Sequence, residues 1–297
     1  MTIPDEELRA ALPASVLIAG CGDIGVRVAT RLRVLGREVT AIVRDRQKAA
    51  ALTAAGIAVR IEDLDRPASA GDGPLLFWFA PPPSSGARDT RLRGWLAAQR
   101  GHIKRIVYVS TSAVYGDCDG RWIDEDEPIA PRSERGQRRA DAERACRDWC
   151  GEHDAAAVIL RVPGIYGPGR LPVERLRKGL PILRADESPY TNRIHADDLA
   201  RAALHAAAVG RAGRAYHVTD GEPTTMADYF LRCAHLLGLP PPQQLTMAEA
   251  RAALTPALLS FLDESKRLDS RRLREELRFV PQYPNLGAGL PSCLPSL

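Results

Sequence analysis

A chain of 297 residues is long enough for one large domain or two unequal ones with an ample core. With 45% hydrophobic and 26% charged residues it has the composition of a globular protein, and a net charge of +4 (41 Lys and Arg against 37 Asp and Glu) is too small to recommend nucleic acid as a partner. The acidic start MTIPDEELRA lacks the apolar segment of a signal peptide, and no apolar run reaches bilayer length. The expectation is a cytoplasmic protein with a small-molecule substrate and no membrane partner.

The first half alternates apolar runs with helical patterns. VLIA (16–19) precedes a helix in which Ile24, Val28, Leu32 and Leu35 share a face. EVTAIV (38–43), an Ala-rich helix over about 47–55, and the runs IAVRI (57–61), LLFWF (75–79), RIVYVS (105–110) and AAVIL (156–160) follow, with helical patterns around 85–100 and 133–150. Continuous apolar runs alternating with helices predict a doubly wound α/β fold with a parallel sheet of Rossmann type. After about residue 163 the texture changes to the Gly- and Pro-rich PGIYGPGRLP and then short helices, among them TTMADYFLRCAHLLG with Thr225 as N-cap and Gly238 as its stop. This predicts a nucleotide-binding domain over 1–163, completed by parts of 195–220, and a smaller, partly helical substrate domain over 164–297.

VLIAGCGDIG sets Gly20, Gly22 and Gly25 in GxGxxG spacing between a strand and a helix. In that context Gly20 permits the tight turn, Gly22 lets the backbone approach a pyrophosphate, and Gly25 lets helix and strand pack. Cys21, Asp23 and Ile24 complete the turn and the helix N-terminus that would face the phosphates. Cys21 is either a small residue that fits the loop or a thiol whose pKa falls there. The second strand ends at Arg44, not the carboxylate that accepts from an NAD ribose, and a guanidinium suits a 2′-phosphate. The expected cofactor is therefore NADP, with NAD as the alternative if Asp45 reaches the ribose instead. Asp63, after the third strand, is a candidate acceptor for the adenine amino group.

YVSTSAVYGD (108–117), RVPGIYGPGR (161–170), NRIHADDLA (192–200) and the closing ESKRLDSRRLREEL (264–277) stand together as they do in extended short-chain dehydrogenase/reductases. Nearly the whole chain thus resembles the NAD-dependent epimerase/dehydratase proteins. The resemblance implies a Rossmann domain with a C-terminal substrate domain, and often sugar-nucleotide chemistry. It also implies that FAPPPSSG, with Ala80, Pro81 and Pro82, walls the nicotinamide ribose. In that family a Ser or Thr after the fifth strand works with a Tyr-x-x-x-Lys pair. Thr111 matches the hydroxyl, but PRSERGQRRADAE (131–143) puts Arg135 on the Tyr and Arg139 on the Lys.

Arg135 and Arg139 extend the apolar stripe of Ala142, Ala145, Cys146, Trp149 and Cys150, so they should face the site, whereas Arg144 and Arg147 should be solvated. An arginine cannot donate and reclaim a proton near neutrality, though it can bind an anion or polarise a carbonyl. Thr111 and Tyr115, the latter with a phenol pKa lowered by those arginines, are the candidate replacements, with Ser112, Tyr166 and Arg193 on the substrate side. His195 is expected to be structural, and the acidic loop DCDGRWIDEDEP (117–128) to be solvated. The six dispersed cysteines form no CxxC pair, which predicts reduced thiols and no metal site. Two functions stay open: an NADP-dependent oxidoreductase or epimerase acting on a hydroxyl or carbonyl, and a non-catalytic redox sensor or scaffold that binds NADP(H). Monomer and homodimer both remain compatible with the sequence.

Overall fold

Seven parallel strands make the central sheet of the computed structural model, which describes residues 2–67, 74–99, 101–253, 255, 259 and 262–294. They are β1 (Ser15–Ala19), β2 (Glu38–Val43), β3 (Ala58–Ile61), β4 (Leu75–Trp78), β5 (Arg105–Thr111), β6 (Ala156–Val162) and β7 (Ala215–His217), in the order β3-β2-β1-β4-β5-β6-β7. Both faces are covered, which is why the strands read as apolar runs and not as alternating ones. Val16, Ile18, Leu75 and Phe77 point to one core, and their neighbours Leu17, Ala19, Leu76 and Trp78 to the other.

Three helices pack on the first face: α2 (Asp23–Val34), α3 (Arg46–Ala54) and α7 (Ala196–Val209). Two others, α4 (Thr90–Ala97) and α5 (Glu134–Glu152), cover the second with Leu92, Trp95, Cys146 and Trp149. Helix α4 is shorter than the 85–100 pattern suggests, because Asp89 caps it by accepting from the Leu92 N–H. The N-terminal helix α1 (Asp5–Ala11) and strand β7 carry no sequence signal. Strand β7 is three residues long and exists through its pairing with β6.

Residues beyond 163 form short two-stranded ladders, such as Gly164–Tyr166 with Arg193–His195, and the helices α6 (Val173–Arg177) and α8 (Met226–Leu236). Thr225 caps α8 through the Asp228 N–H, and Gly238 stops it at φ +63°. Between these pieces the chain returns to the sheet through α7 and β7.

The sheet order reverses between β1 and β4, and the loops leaving those strands touch. Gly20 has φ +76°, and a Cβ there would lie 2.4 Å from the Ala80 backbone. Gly169 shares the positive φ but faces open space. Urea unfolding should therefore show Gly20→Ala to be destabilised by about 2–4 kcal/mol, from backbone strain plus the forced separation of the two loops, and Gly169→Ala by only about 1 kcal/mol. Equal losses at the two positions would contradict the contact.

Candidate functional site

Where the two loops meet, a cleft of about 330 Å³ opens at the carboxyl ends of the strands. Gly20, Cys21 and Gly22 form its floor, Ala80 and Pro81 one wall, and Arg44, Asp45, Lys48 and Asp63 its far end. Helix α2 begins here with Gly22 as its N-cap and no side chain over the opening N–H groups, so those donors can face an anion. Asp23 turns away to Arg27 and Arg170, which hold its carboxyl below the usual range, and the side chain of Ile24 is buried. Pro82 continues the loop outside the cleft lining. Burial pushes the Cys21 thiol up to about 11, so the lowered pKa considered for a helix N-terminus is corrected.

At the far end the two candidate ribose partners are in different states. Asp45 accepts from the Lys48 N–H at 2.6 Å and caps α3, whereas Arg44 is exposed at the cleft margin. Asp63 lines the cleft and accepts from the Asp65 N–H. Sequence reasoning missed Arg91, which reaches in from α4, pairs with Asp65 at 2.7 Å and donates to the Pro81 carbonyl at 2.5 Å. Nothing in TRLRGW separates it from an ordinary surface arginine.

Thr111 ends β5, and its hydroxyl caps the 3-10 turn Ser112–Tyr115 by accepting from the Ala113 N–H. Thr111 and Ser112 are both half-buried. The first turn of α5, capped by Ser133, presses against this turn: a Cβ on Gly136 would lie 2.5 Å from the Ala113 carbonyl oxygen. None of the three arginines in that turn is a solvated surface residue. Arg138 is buried and donates to the Gly86 carbonyl. Arg139 donates to the Val109 carbonyl at 2.8 Å and the Tyr108 hydroxyl at 3.1 Å. Arg135 is half-buried, and burial lowers its pKa against the pull of Glu264. Arg144 is exposed as expected, but Arg147 is not simply solvated: it donates to the Gly213 carbonyl and pairs with Glu143.

Beneath this turn a polar row crosses three strands, because Ser110, Arg161 and His217 are register neighbours. Glu143 of α5, fully buried, accepts from Ser110 at 2.6 Å and pairs with Arg161 at 2.9 Å. Tyr115 closes the network. His217 Nδ1 faces the Asp269 carbonyl, which can only accept, so Nδ1 carries the proton and Nε2 accepts from the Tyr115 hydroxyl at 2.6 Å. The same hydroxyl accepts from Arg161 at 2.5 Å. Burial drives the phenol upward more strongly than Arg161 draws it down. This corrects the expectation of a lowered Tyr115 pKa set by Arg135 or Arg139: Tyr115 is a buried, doubly bonded phenol. The acidic loop is corrected as well, since Glu125 is buried and accepts from the His217 N–H at 2.8 Å.

The profile of the NAD dependent epimerase/dehydratase family matches residues 90–219, which hold Thr111, the arginine turn and the β6–β7 edge. Over those residues the chain is similar to this family. A second profile, ketopantoate reductase PanE/ApbA, matches residues 16–70 around the glycine turn. A dTDP-glucose 4,6-dehydratase of Actinoplanes is 33% identical over 138 residues, which are 43% of this chain and 43% of that enzyme's length. Among solved structures, a functionally unknown conserved protein from Silicibacter pomeroyi is 31% identical with TM-score 0.79, covering 95% of this chain and 98% of that one. UDP-glucuronic acid 4-epimerase from Bacillus cereus, in complex with UDP-glucuronic acid and NAD, shares the fold at TM-score 0.76 and 18% identity, covering 94% and 97% of the two chains.

The remaining candidates divide between two places. Tyr166 does not line a substrate cavity. It is fully buried, donates to the Asn285 carbonyl and packs on Gly289, on the face of its strand opposite Ile165, which lines the cavity. His195 is structural as expected: Nδ1 accepts from the Asp197 N–H to cap α7, Nε2 meets Ser292, and burial lowers its pKa. Arg193 lines a second cavity, next to Gly164 and α8. Among the described residues no group of His, Cys, Asp or Glu is placed to hold a metal, and no helix is long and apolar enough to cross a membrane. All six cysteines are buried and unpaired.

The network has a pH signature. Burial depresses His217 from 6.5 to about 3, so the unfolded chain takes up this proton below about 6.5 and the folded chain does not. The stabilisation is therefore complete above pH 6.5 and is lost progressively as pH falls towards 3. Urea midpoints at pH 7.5, 6.0 and 5.0 should fall less steeply for His217→Gln than for the natural protein. Parallel slopes would contradict the buried neutral imidazole.

Proposed function

We propose that the protein is an NADP-dependent oxidoreductase or epimerase acting on a hydroxyl or carbonyl group of a small molecule, with sugar nucleotides as the class suggested by its relatives. The observation that carries the cofactor reading is the pairing of an exposed Arg44 with an Asp45 already engaged as a helix cap. A 2′-phosphate gains a guanidinium there, whereas a 2′-hydroxyl would have to take Asp45 from α3. The contact between Gly20 and Ala80 and the uncapped N-terminus of α2 fit a pyrophosphate approaching the backbone.

The bound dinucleotide supplies or accepts the hydride. Thr111 Oγ1 holds the reacting substrate oxygen and passes its proton to and from solvent, while Arg135 stabilises negative charge developing on that oxygen. Arg139, fixed by the Val109 carbonyl, would hold the nicotinamide ribose in place of the family's Lys. Neither arginine serves as the acid or base. A second reading, an NADP(H)-binding sensor or scaffold without turnover, is favoured by the arginines at both positions where the family carries Tyr and Lys.

The reading is tested by fluorescence titration with NADPH and NADH, followed by cofactor oxidation in a screen of carbonyl substrates. NADPH should bind at least about tenfold more tightly than NADH, as expected for a charge-assisted contact of about 1.5–3 kcal/mol, and Arg44→Asp should erase the preference. Thr111→Ala should lower turnover about 100-fold or more with NADPH binding intact. Equal affinities would overturn the cofactor assignment. Tight NADPH binding, with no turnover of any substrate even in Arg135→Tyr/Arg139→Lys, would favour the sensor.

A further inference from the structure

The second cavity, of about 380 Å³, lies between the Gly164–Tyr166 strand and helices α6 and α8. Its walls are mostly apolar: Ile165, Ile182, Leu183, Met226, Tyr229 and Phe230. Against them lie two guanidinium groups. Arg193 stacks on the Tyr229 ring with its central carbon 4.2 Å from the centroid, and Arg175 lies 4.9 Å over the ring of Phe230. Gly164 makes room for the first, since a Cβ there would sit 2.6 Å from Arg193 Nη1.

Among the described residues no carboxylate lies within salt-bridge distance of Arg175 or Arg193. Arg193 donates to the Asn192 carbonyl and Arg175 to the Pro181 carbonyl, but Arg175 Nε is buried with no hydrogen-bond partner among the described residues. Burial lowers the pKa of both. Asp220, whose charge acts on Arg193 from a distance, is itself pushed up to about 7 by burial, so near neutrality it supplies only part of a counter-charge. Desolvated cations with unused donors are costly, and an incoming carboxylate or phosphate relieves that cost.

We propose that this cavity holds the substrate's non-reacting part, and that the substrate is a compact, largely apolar molecule with one anionic group bound by Arg193 and Arg175. The proposal rests on the enzymatic reading above and replaces the sugar-nucleotide class suggested by the relatives with a smaller, apolar anion. A nucleotide sugar, with its diphosphate, ribose and polar base edges, matches these walls poorly. The volume lies near the lower end of the range for small-molecule sites, about 300–1,000 Å³.

The test is calorimetric titration of the full chain, with and without saturating NADPH, using phenylpyruvate, cinnamate and octanoate as apolar anions. The uncharged 4-phenyl-2-butanone and UDP-glucose serve as comparisons. At least one apolar anion should bind about tenfold or more tightly than the ketone and UDP-glucose, and Arg193→Gln and Arg175→Gln should each weaken it about tenfold, as expected for a lost charged hydrogen bond. NADPH titration of both variants should be unchanged, which also reports that they fold. No binding of the three anions, binding insensitive to both substitutions, or tighter and arginine-dependent binding of UDP-glucose would overturn the proposal. Failure of the enzymatic reading has a separate signature, namely NADPH binding without cofactor oxidation by any carbonyl substrate, including any anion that binds this cavity.

Discussion

A parallel sheet buried on both faces leaves polar side chains nowhere to go but its ends. That constraint governs the molecule. Gly20, Arg44, Asp63, Ala80 and Thr111 all stand at or just past the last residue of a strand, and all gather along one edge. Where the order reverses between β1 and β4, the two exits diverge enough for a cleft yet touch at Gly20 and Ala80. Where polar groups fall inside the strands, at Ser110, Arg161 and His217, they line up in register and are satisfied together by Glu143, Tyr115 and Glu125. Loss of any one member would strand another without a partner in a low-dielectric interior, which is why the row behaves as a unit.

The arginine turn of α5 depends on the same edge. The close approach of Gly136 to the Ala113 carbonyl fixes the distance between helix and strand exit, and Arg139 is then tied to β5 itself. Under the proposed enzymatic reading, fixed positive charge stands where the resemblance implies a phenol and an ammonium for proton transfer. Such an arrangement favours holding and polarising an oxygen over exchanging protons with it.

Six strands and the glycine turn were legible in the sequence because their causes are local: apolar runs for two-sided burial, and GxGxxG between strand and helix. The Thr225 cap was legible for the same reason. What escaped was set by distant partners. Tyr115 meets Arg161 and His217, which lie 46 and 102 residues away, so no local pattern announces that its phenol is buried. Glu125 stands between the exposed Asp124 and Asp126, and its partners, the β7 backbone and Arg272, lie far along the chain. Tyr166 followed its motif to the cleft region, but the alternation of a three-residue strand turned it inward. Strand β7 itself has no run to read and exists only beside β6.

The central claim is that the cleft at the β1–β4 reversal holds NADP, with its 2′-phosphate at Arg44. The most direct measurement is a crystal structure of the protein with NADP+. The account predicts the pyrophosphate against the N–H groups of the Gly20–Gly25 turn, the 2′-phosphate within hydrogen-bond distance of the Arg44 guanidinium, and Asp45 still capping α3. An adenosine ribose held by Asp45 with that cap broken, or a dinucleotide bound anywhere else, would contradict it.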